Sequence, residues 1–263
     1  MFIRRTIRLH VVINFIGGII KYELKVNVIH QEVCAMGNKL SGKIALVTGA
    51  SRGIGRAIAV ALAHSGADVA VNYHSNESAA LDVCAQIRKL GQRSIPVQGD
   101  VARNTDVARI VKVVRQELGP ITILVNNAGI GMARSTESIA EHDWDEMLAA
   151  NLKAPFLVTQ AVVSDMRTAR WGRIIGLSSA AAQMGGVVGP HSAASKGGII
   201  GLMHYYAAHL AKEGITANSI SPGPISTDML ANLPQLRPEH IPIGRFGTAE
   251  EIADVAVMLA CNG

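Results

Sequence analysis

With 263 residues, 49% of them hydrophobic and 17% charged, the chain has a globular composition and can bury a substantial core, which excludes a disordered protein. Its formal charge of +5 is concentrated at the start: residues 1–38 hold Arg4, Arg5, Arg8, Lys21 and Lys25 against Glu23 and Glu32, so the remaining body is too weakly basic to argue for nucleic acid. Cys34, Cys84 and Cys261 are odd in number, widely spaced and in no metal pattern, which points to a reducing, cytoplasmic compartment.

Residues 1–38 read as a leader outside the fold. MFIRRTIRLH is basic and VVINFIGGII apolar, but ten apolar-leaning residues that include Asn14 cannot span a bilayer. Met36 marks the expected start of the folded unit, and residues 39–263 read as a single domain. A targeting peptide, which would place the protein in an organelle matrix, is the alternative.

From Lys43 a rhythm of short apolar runs and amphipathic segments begins. IALVTG is a strand, and GIGRAIAVALAHSG, with Ile54, Ile58, Ala61 and Leu62 at helical spacing, is a helix. ADVAVNY, RSIPVQGD, ITILVNNAG, GRIIGLSS and ITANSISPG are further strands. Between them lie NESAALDVCAQIRKLG and TDVARIVKVVRQELG, the latter with Val107, Ile110, Val111, Val114 and Leu118 on one stripe, and helices near 141–168 and 191–213. Strands apolar on both faces, each followed by a helix, predict an α/β fold: a doubly wound, Rossmann-type parallel sheet covered by helices on both faces. Ligands of such a sheet lie beyond its C-terminal strand ends.

Polar, small-residue turns occur at those ends. TGASRGIG, Thr48 to Gly55, opens the first helix, where glycines let the backbone approach a pyrophosphate and the helix N-terminus supplies N–H groups. The same turn is also ordinary strand-to-helix geometry. NNAG, Asn126 to Gly129, leaves the fourth strand beside it, and GPHSAASKGG places Lys196 four residues after Ser192, on one helix face.

TGASRGIG, GD at 99–100, NNAG, Asn151, Ser178-Ser179, the run ending at Lys196, and SPGPISTD at 221–228 occur in order, and over residues 40 to 262 the chain resembles the short-chain dehydrogenase/reductase family. Within it, the 3-oxoacyl carrier-protein reductases are most similar. The resemblance implies a homo-oligomeric, dimeric or tetrameric reductase that uses NADPH on a β-ketoacyl thioester or other small carbonyl, with acyl carrier protein as a candidate partner and no metal.

By the same resemblance the catalytic positions are Asn151, Ser179, Ser192 and Lys196, with Ser178 structural. The cofactor positions are Gly49, Ser51, Arg52, Gly53, Ile54, Gly55, Asp100, Val101, Asn127, Ala128, Gly129, Lys196, Pro222, Gly223 and Thr227. Asp100 has a second reading as a turn residue capping the next helix. The second strand ends Val71-Asn72-Tyr73-His74-Ser75 without a carboxylate before Glu77, which with Arg52 favours NADPH over NADH. Arg167, Arg170 and Arg173 are candidates for receiving an acidic carrier, and Met229 to Phe246 for a mobile lid.

Two departures stand out. The family's proton-donating tyrosine is Ser192 here, and Tyr22, Tyr73, Tyr205 and Tyr206 each lack a lysine four places on. The final strand of the family, which lies beyond the helix ending near Gly263, has no counterpart in the sequence. An impaired reductase, a non-catalytic NADP(H)-binding protein or partner subunit, and a residue introduced at position 192 are the three readings left open.

Overall fold

The computed structural model describes residues 6–15, 18–27, 38–231, 233 and 236–261. The chain divides into two compact units, Met1–Gly37 and Asn38–Gly263. In the first, β1 (Thr6–Phe15) and β2 (Gly18–Asn27) pair as an antiparallel hairpin with Phe15 opposite Gly18. Charge and hydropathy alone predict no strands there. The β-branched residues of TIRLHVVINF carry a strand propensity that a reading by charge and hydropathy passes over. Met36 lies outside the described residues.

The second unit is built on a six-stranded parallel sheet: β3 (Ile44–Val47), β4 (Asp68–Tyr73), β5 (Ser94–Gln98), β6 (Ile123–Asn126), β7 (Gly172–Leu177) and β8 (Ile215–Ile220), in the order β5-β4-β3-β6-β7-β8. Each strand was anticipated, with ends trimmed by one to three residues where the chain turns into a loop. β3, β6 and β7 are buried along their whole length, as a sheet covered on both faces requires.

One helical layer contains α1 (Gly53–His64) and α2 (Glu77–Lys89), together with α9 (Ala249–Cys261), which packs on α1. The opposite layer contains α3 (Asn104–Glu117), α5 (Ala154–Ala169) and α7 (Pro190–Leu210). All five residues of the α3 stripe, Val107, Ile110, Val111, Val114 and Leu118, are buried, in one cluster with Leu46, Leu124 and Ile174 of the sheet. In α1 the stripe sits one step round from the anticipated one: Gly55, Ile58, Ala59 and Leu62 are buried, whereas Ile54 and Ala61 are half-buried.

The helix expected near 141–168 is α4 (Glu141–Leu148) joined to α5 through a π-helical turn, Ala149–Lys153. Glu141–Ala169 is as apolar as a membrane span, and Met147, Val158, Val162 and Met166 from it are buried in the core of the second unit. Two short helices, α6 (Ala181–Met184) and α8 (Asp228–Ala231), lie at the C-terminal ends of β7 and β8.

Because the second unit carries its own sheet and core, deleting residues 1–37 is expected to leave its thermal midpoint within about 2 °C. Differential scanning fluorimetry of the full and shortened chains checks this, and a drop of ten degrees would show that the first unit is needed for stability.

A polar cleft at the carboxyl ends of the strands

The strand order reverses between β3 and β6, and the two turns leaving these strands are fastened to each other. Thr48 Oγ1 accepts the backbone N–H groups of Asn127 and Ala128, both at 3.0 Å, while Asn127 Nδ2 donates to the carbonyls of Thr48 (2.8 Å) and Gly49 (3.0 Å). Contact this close fixes the residue types. Gly49 adopts φ +61°, and a Cβ there would lie 2.9 Å from Ala128 Cα; a Cβ on Gly55 would lie 2.5 Å from the Gly49 carbonyl and collide with Asn127 Nδ2.

Asn72 completes this wall. Its Oδ1 accepts Gly49 N–H at 3.2 Å, and its Nδ2 donates to the carbonyls of Val97 (3.1 Å) and Gly99 (3.2 Å), tying the Gly-rich turn to β4 and β5. The sequence reading used Asn72 only as a non-acidic residue. The available signal was a polar side chain inside an otherwise apolar strand buried on both faces, which must find hydrogen-bond partners.

At the start of α1, Arg52 is the extended N-cap residue, no side chain caps the first-turn amides, and the first turn carries no acid. With no side-chain cap among the described residues, these N–H groups and the positive end of the helix dipole favour an anion, so the turn fits a pyrophosphate. Arg52 itself lies 3.5 Å from Asp228 of α8, both side chains exposed. Gly53 abuts Thr227: a Cβ there would be 3.5 Å from Thr227 Cγ2, so the SPGPISTD segment closes over the Gly-rich turn. At the end of β5, Asp100 Oδ1 accepts Ala102 N–H at 2.9 Å and its carboxylate pairs with Arg103 at 3.3 Å. It forms a local turn, and the N-cap of α3 is Arg103 instead.

The facing wall comes from β7, α7 and the π-helical turn. Asn151, buried within that turn, accepts Ile130 N–H on Oδ1 at 2.8 Å and donates from Nδ2 to the Ile130 carbonyl at 3.1 Å. Single π-turns inside α-helices are rare and cluster at functional sites; a period reading of the sequence cannot distinguish one from a continuous helix. Lys196 Nζ donates to the Leu177 carbonyl at 2.7 Å, and Ser178 Oγ to the Lys196 carbonyl at 2.8 Å, which makes Ser178 a tie between β7 and α7. A Cβ on Gly129 would lie 2.7 Å from Asn151 Oδ1 and 3.6 Å from Lys196 Nζ, so both side chains converge on the NNAG turn.

Burial alone pulls the Lys196 ammonium down to about 8. Ser179 Oγ accepts Ala181 N–H at 3.1 Å, leaving its own proton to donate. Ser192, buried in the first turn of α7, shares a helix face with Lys196. Pro222 accepts Ala180 N–H at 2.9 Å, joining the loops that follow β7 and β8. All the residues expected in the site thus lie at the C-terminal ends of the six strands or on the adjoining turns and helices.

The fold and sequence have close relatives. The family of short chain dehydrogenases matches residues 43–237. The chain belongs to that family. Its reaction class is oxidoreduction, and its sequence is 40% identical over 224 residues to a 3-oxoacyl-[acyl-carrier-protein] reductase of Staphylococcus epidermidis, covering 84% of this chain and 92% of that one. A 3-oxoacyl-[acyl-carrier-protein] reductase of Synechocystis is 41% identical over 226 residues, 85% and 91% of the two chains. Among solved structures, a 3-oxoacyl-[acyl-carrier protein] reductase of Brucella melitensis with bound NAD superposes with a TM-score of 0.80 at 30% identity, over 90% of this chain and 91% of that one.

The close approach at Gly55 yields a stability test. Gly55→Ala is expected to cost about 1–3 kcal/mol through overpacking against Gly49 and Asn127. Gly197→Ala, in the middle of α7 with nothing within 4 Å of its Cβ, is expected to stabilise by roughly 0.5–1 kcal/mol. Urea unfolding of both variants measures the contrast.

Proposed function

We propose that this chain is an NADPH-dependent reductase of β-ketoacyl thioesters, of the 3-oxoacyl carrier-protein type, with its chemistry impaired by serine at position 192. The observation that carries the reading is the convergence of Asn151 and Lys196 on Gly129 at the strand-order reversal, with Ser192 one turn before Lys196 on the same face of α7. A nicotinamide dinucleotide bound there supplies a hydride equivalent. The amides at the start of α1 would hold its pyrophosphate, Lys196 would donate to its nicotinamide ribose, and Thr227 with Pro222 and Gly223 would border the nicotinamide. Ser179 would donate a hydrogen bond to the substrate carbonyl oxygen and polarise it.

The preference for NADPH rests on two features: β4 ends without a carboxylate before Glu77, and Arg52 is exposed and held by a 3.5 Å pair with exposed Asp228, a weak surface contact that leaves it able to reach a 2′-phosphate. An apolar acyl substrate is supported by exposed Met184 and Val187 after β7 and by exposed Met229, whose sulfur lies 3.0 Å from a Cβ on Gly131. Of the three arginines considered for an acidic carrier, two are committed elsewhere. Arg167 donates to both Glu213 carboxylate oxygens through Nε and Nη2, and Arg173 is buried over Trp171. Arg170, exposed in the left-handed conformation at the end of α5, is the residue on which a carrier contact rests.

Self-association is supported by the half-exposed apolar residues Trp144, Phe156 and Tyr205 on α4, α5 and α7. Asp145 and Lys153, eight residues apart, line one groove with Phe156 and Tyr205, so a two-fold axis at Ala149 would bring the opposite charges of two copies together. The cysteine usage and the bacterial relatives support a cytoplasmic setting.

Two outcomes are expected. Ser192→Tyr raises kcat for acetoacetyl-thioester reduction about 10²-fold or more with little change in KM for NADPH, since a general acid acts on the transition state; absence of any gain in a folded, NADPH-binding variant favours the binding-protein reading. Arg52→Ala lowers the ratio of NADPH to NADH affinity roughly tenfold, as calorimetry would measure; an unchanged ratio removes Arg52 from cofactor choice.

A further inference from the structure

Position 192 offers no phenol, so the proton for the reduced carbonyl oxygen has to come from another group. Aliphatic hydroxyls such as Ser179 and Ser192 can relay a proton but are too weakly acidic to act as its source. His191 neighbours Ser192, yet its imidazole is fully buried and neither ring nitrogen has a hydrogen-bond partner among the described residues, so no hydrogen-bonded path leads from it. Lys196 is placed differently. It spends one N–H on the Leu177 carbonyl at 2.7 Å and keeps two more, and it stands 3.6 Å from the Cβ position of Gly129, against the turn where the cofactor would lie.

We propose that Lys196 is itself the general acid in this chain, delivering its proton through a water molecule positioned by the Ser192 hydroxyl. The proposal rests on the reductase reading. The substrate carbonyl carbon receives a hydride, with its electron pair, from the reduced nicotinamide, and the carbonyl π pair moves onto oxygen. That oxygen takes a proton from the water as the water takes one from Nζ. The Nζ–H bond pair stays on nitrogen, leaving a neutral amine, a hydroxyacyl thioester and oxidised nicotinamide, and solvent then reprotonates the amine.

The surroundings suit this role. The groups placed with Lys196 are the Leu177 carbonyl at the end of β7, Gly129 of the turn after β6, on which Asn151 of the π-helical turn also converges, and Ser192 one turn earlier on its own helix. No charged side chain among the described residues contributes to its shift. Burial alone brings the ammonium to about 8, which makes it a far better donor at neutral pH than a solvated lysine. As pH rises through that value the donor is lost.

The test is Lys196→Arg made in this chain and in Ser192→Tyr. A guanidinium keeps the charge and the hydrogen-bond donors but does not release a proton. Three quantities are measured: kcat for reduction of an acetoacetyl thioester against pH, NADPH affinity by fluorescence titration, and the Lys196 pKa in the cofactor-free protein by 13C NMR of lysine ε-carbons, assigned by difference from Lys196→Arg. In this chain Lys196→Arg is expected to lower kcat about 10²-fold, and beside a tyrosine the same change is expected to cost at least tenfold less. The kcat of this chain should fall about tenfold per pH unit above the pKa that NMR assigns to Lys196. Equal losses in both backgrounds, or a rate that persists undiminished well above that pKa, would overturn the proposal. Reduction by Ser192→Tyr alone overturns it while leaving the reductase reading standing; no reduction by either protein at any pH removes both.

Discussion

The link between Thr48 and Asn127 is the constraint on which the rest of the cleft depends. A hydroxyl at the end of β3 accepts two backbone amides from the turn after β6, and an amide side chain in that turn returns two hydrogen bonds to the carbonyls that follow β3. Every group involved is at least partly buried, so each unmade bond would carry a desolvation cost of about 1–3 kcal/mol. The two turns therefore move as one body. Their closeness dictates glycine at positions 49 and 55, and it sets the start of α1, whose first turn has no side-chain cap, at the strand-order reversal.

The opposite wall is rigid for a related reason. Ser178 and Leu177 anchor α7 through Lys196, using its backbone carbonyl and its side chain respectively, and the π-helical turn holds Asn151 by two hydrogen bonds to Ile130. Binding and chemistry draw on different parts of this arrangement. Cofactor binding would use turns locked by backbone and amide hydrogen bonds, none of which involves Ser192. Proton delivery would use the side of α7 that carries Ser192 and Lys196, apart from those turns. That separation explains how a cleft can keep its cofactor geometry while its chemistry is altered at one residue.

The parallel sheet was legible in the sequence because burial on both faces makes the central strands, IALV of β3 and ILV of β6, short apolar runs, and α3 because its stripe is regular. The placement of the motif residues at strand ends followed from that topology. Other features left weaker marks. The π-turn at Asn151 alters one helical step without altering the apolar period, and the β1–β2 hairpin lies in a segment that charge had marked as a leader. Arg173 was read as a surface cation, yet it lies in a strand whose six positions are all buried, and it packs on Trp171. Asp100 illustrates the same limit from the other side: a polar residue after a strand can serve a ligand or its own turn, and here its carboxylate is engaged by Ala102 and Arg103.

The central claim is that the interlocked turns form a competent dinucleotide cleft whatever the side chain at position 192. Titration of this unaltered chain with NADPH, following the fluorescence of the reduced nicotinamide, tests it most directly. The account predicts saturable binding with one equivalent per chain and an enhanced, blue-shifted emission as the nicotinamide leaves water. No saturable change, from a protein shown by circular dichroism to be folded, would contradict it.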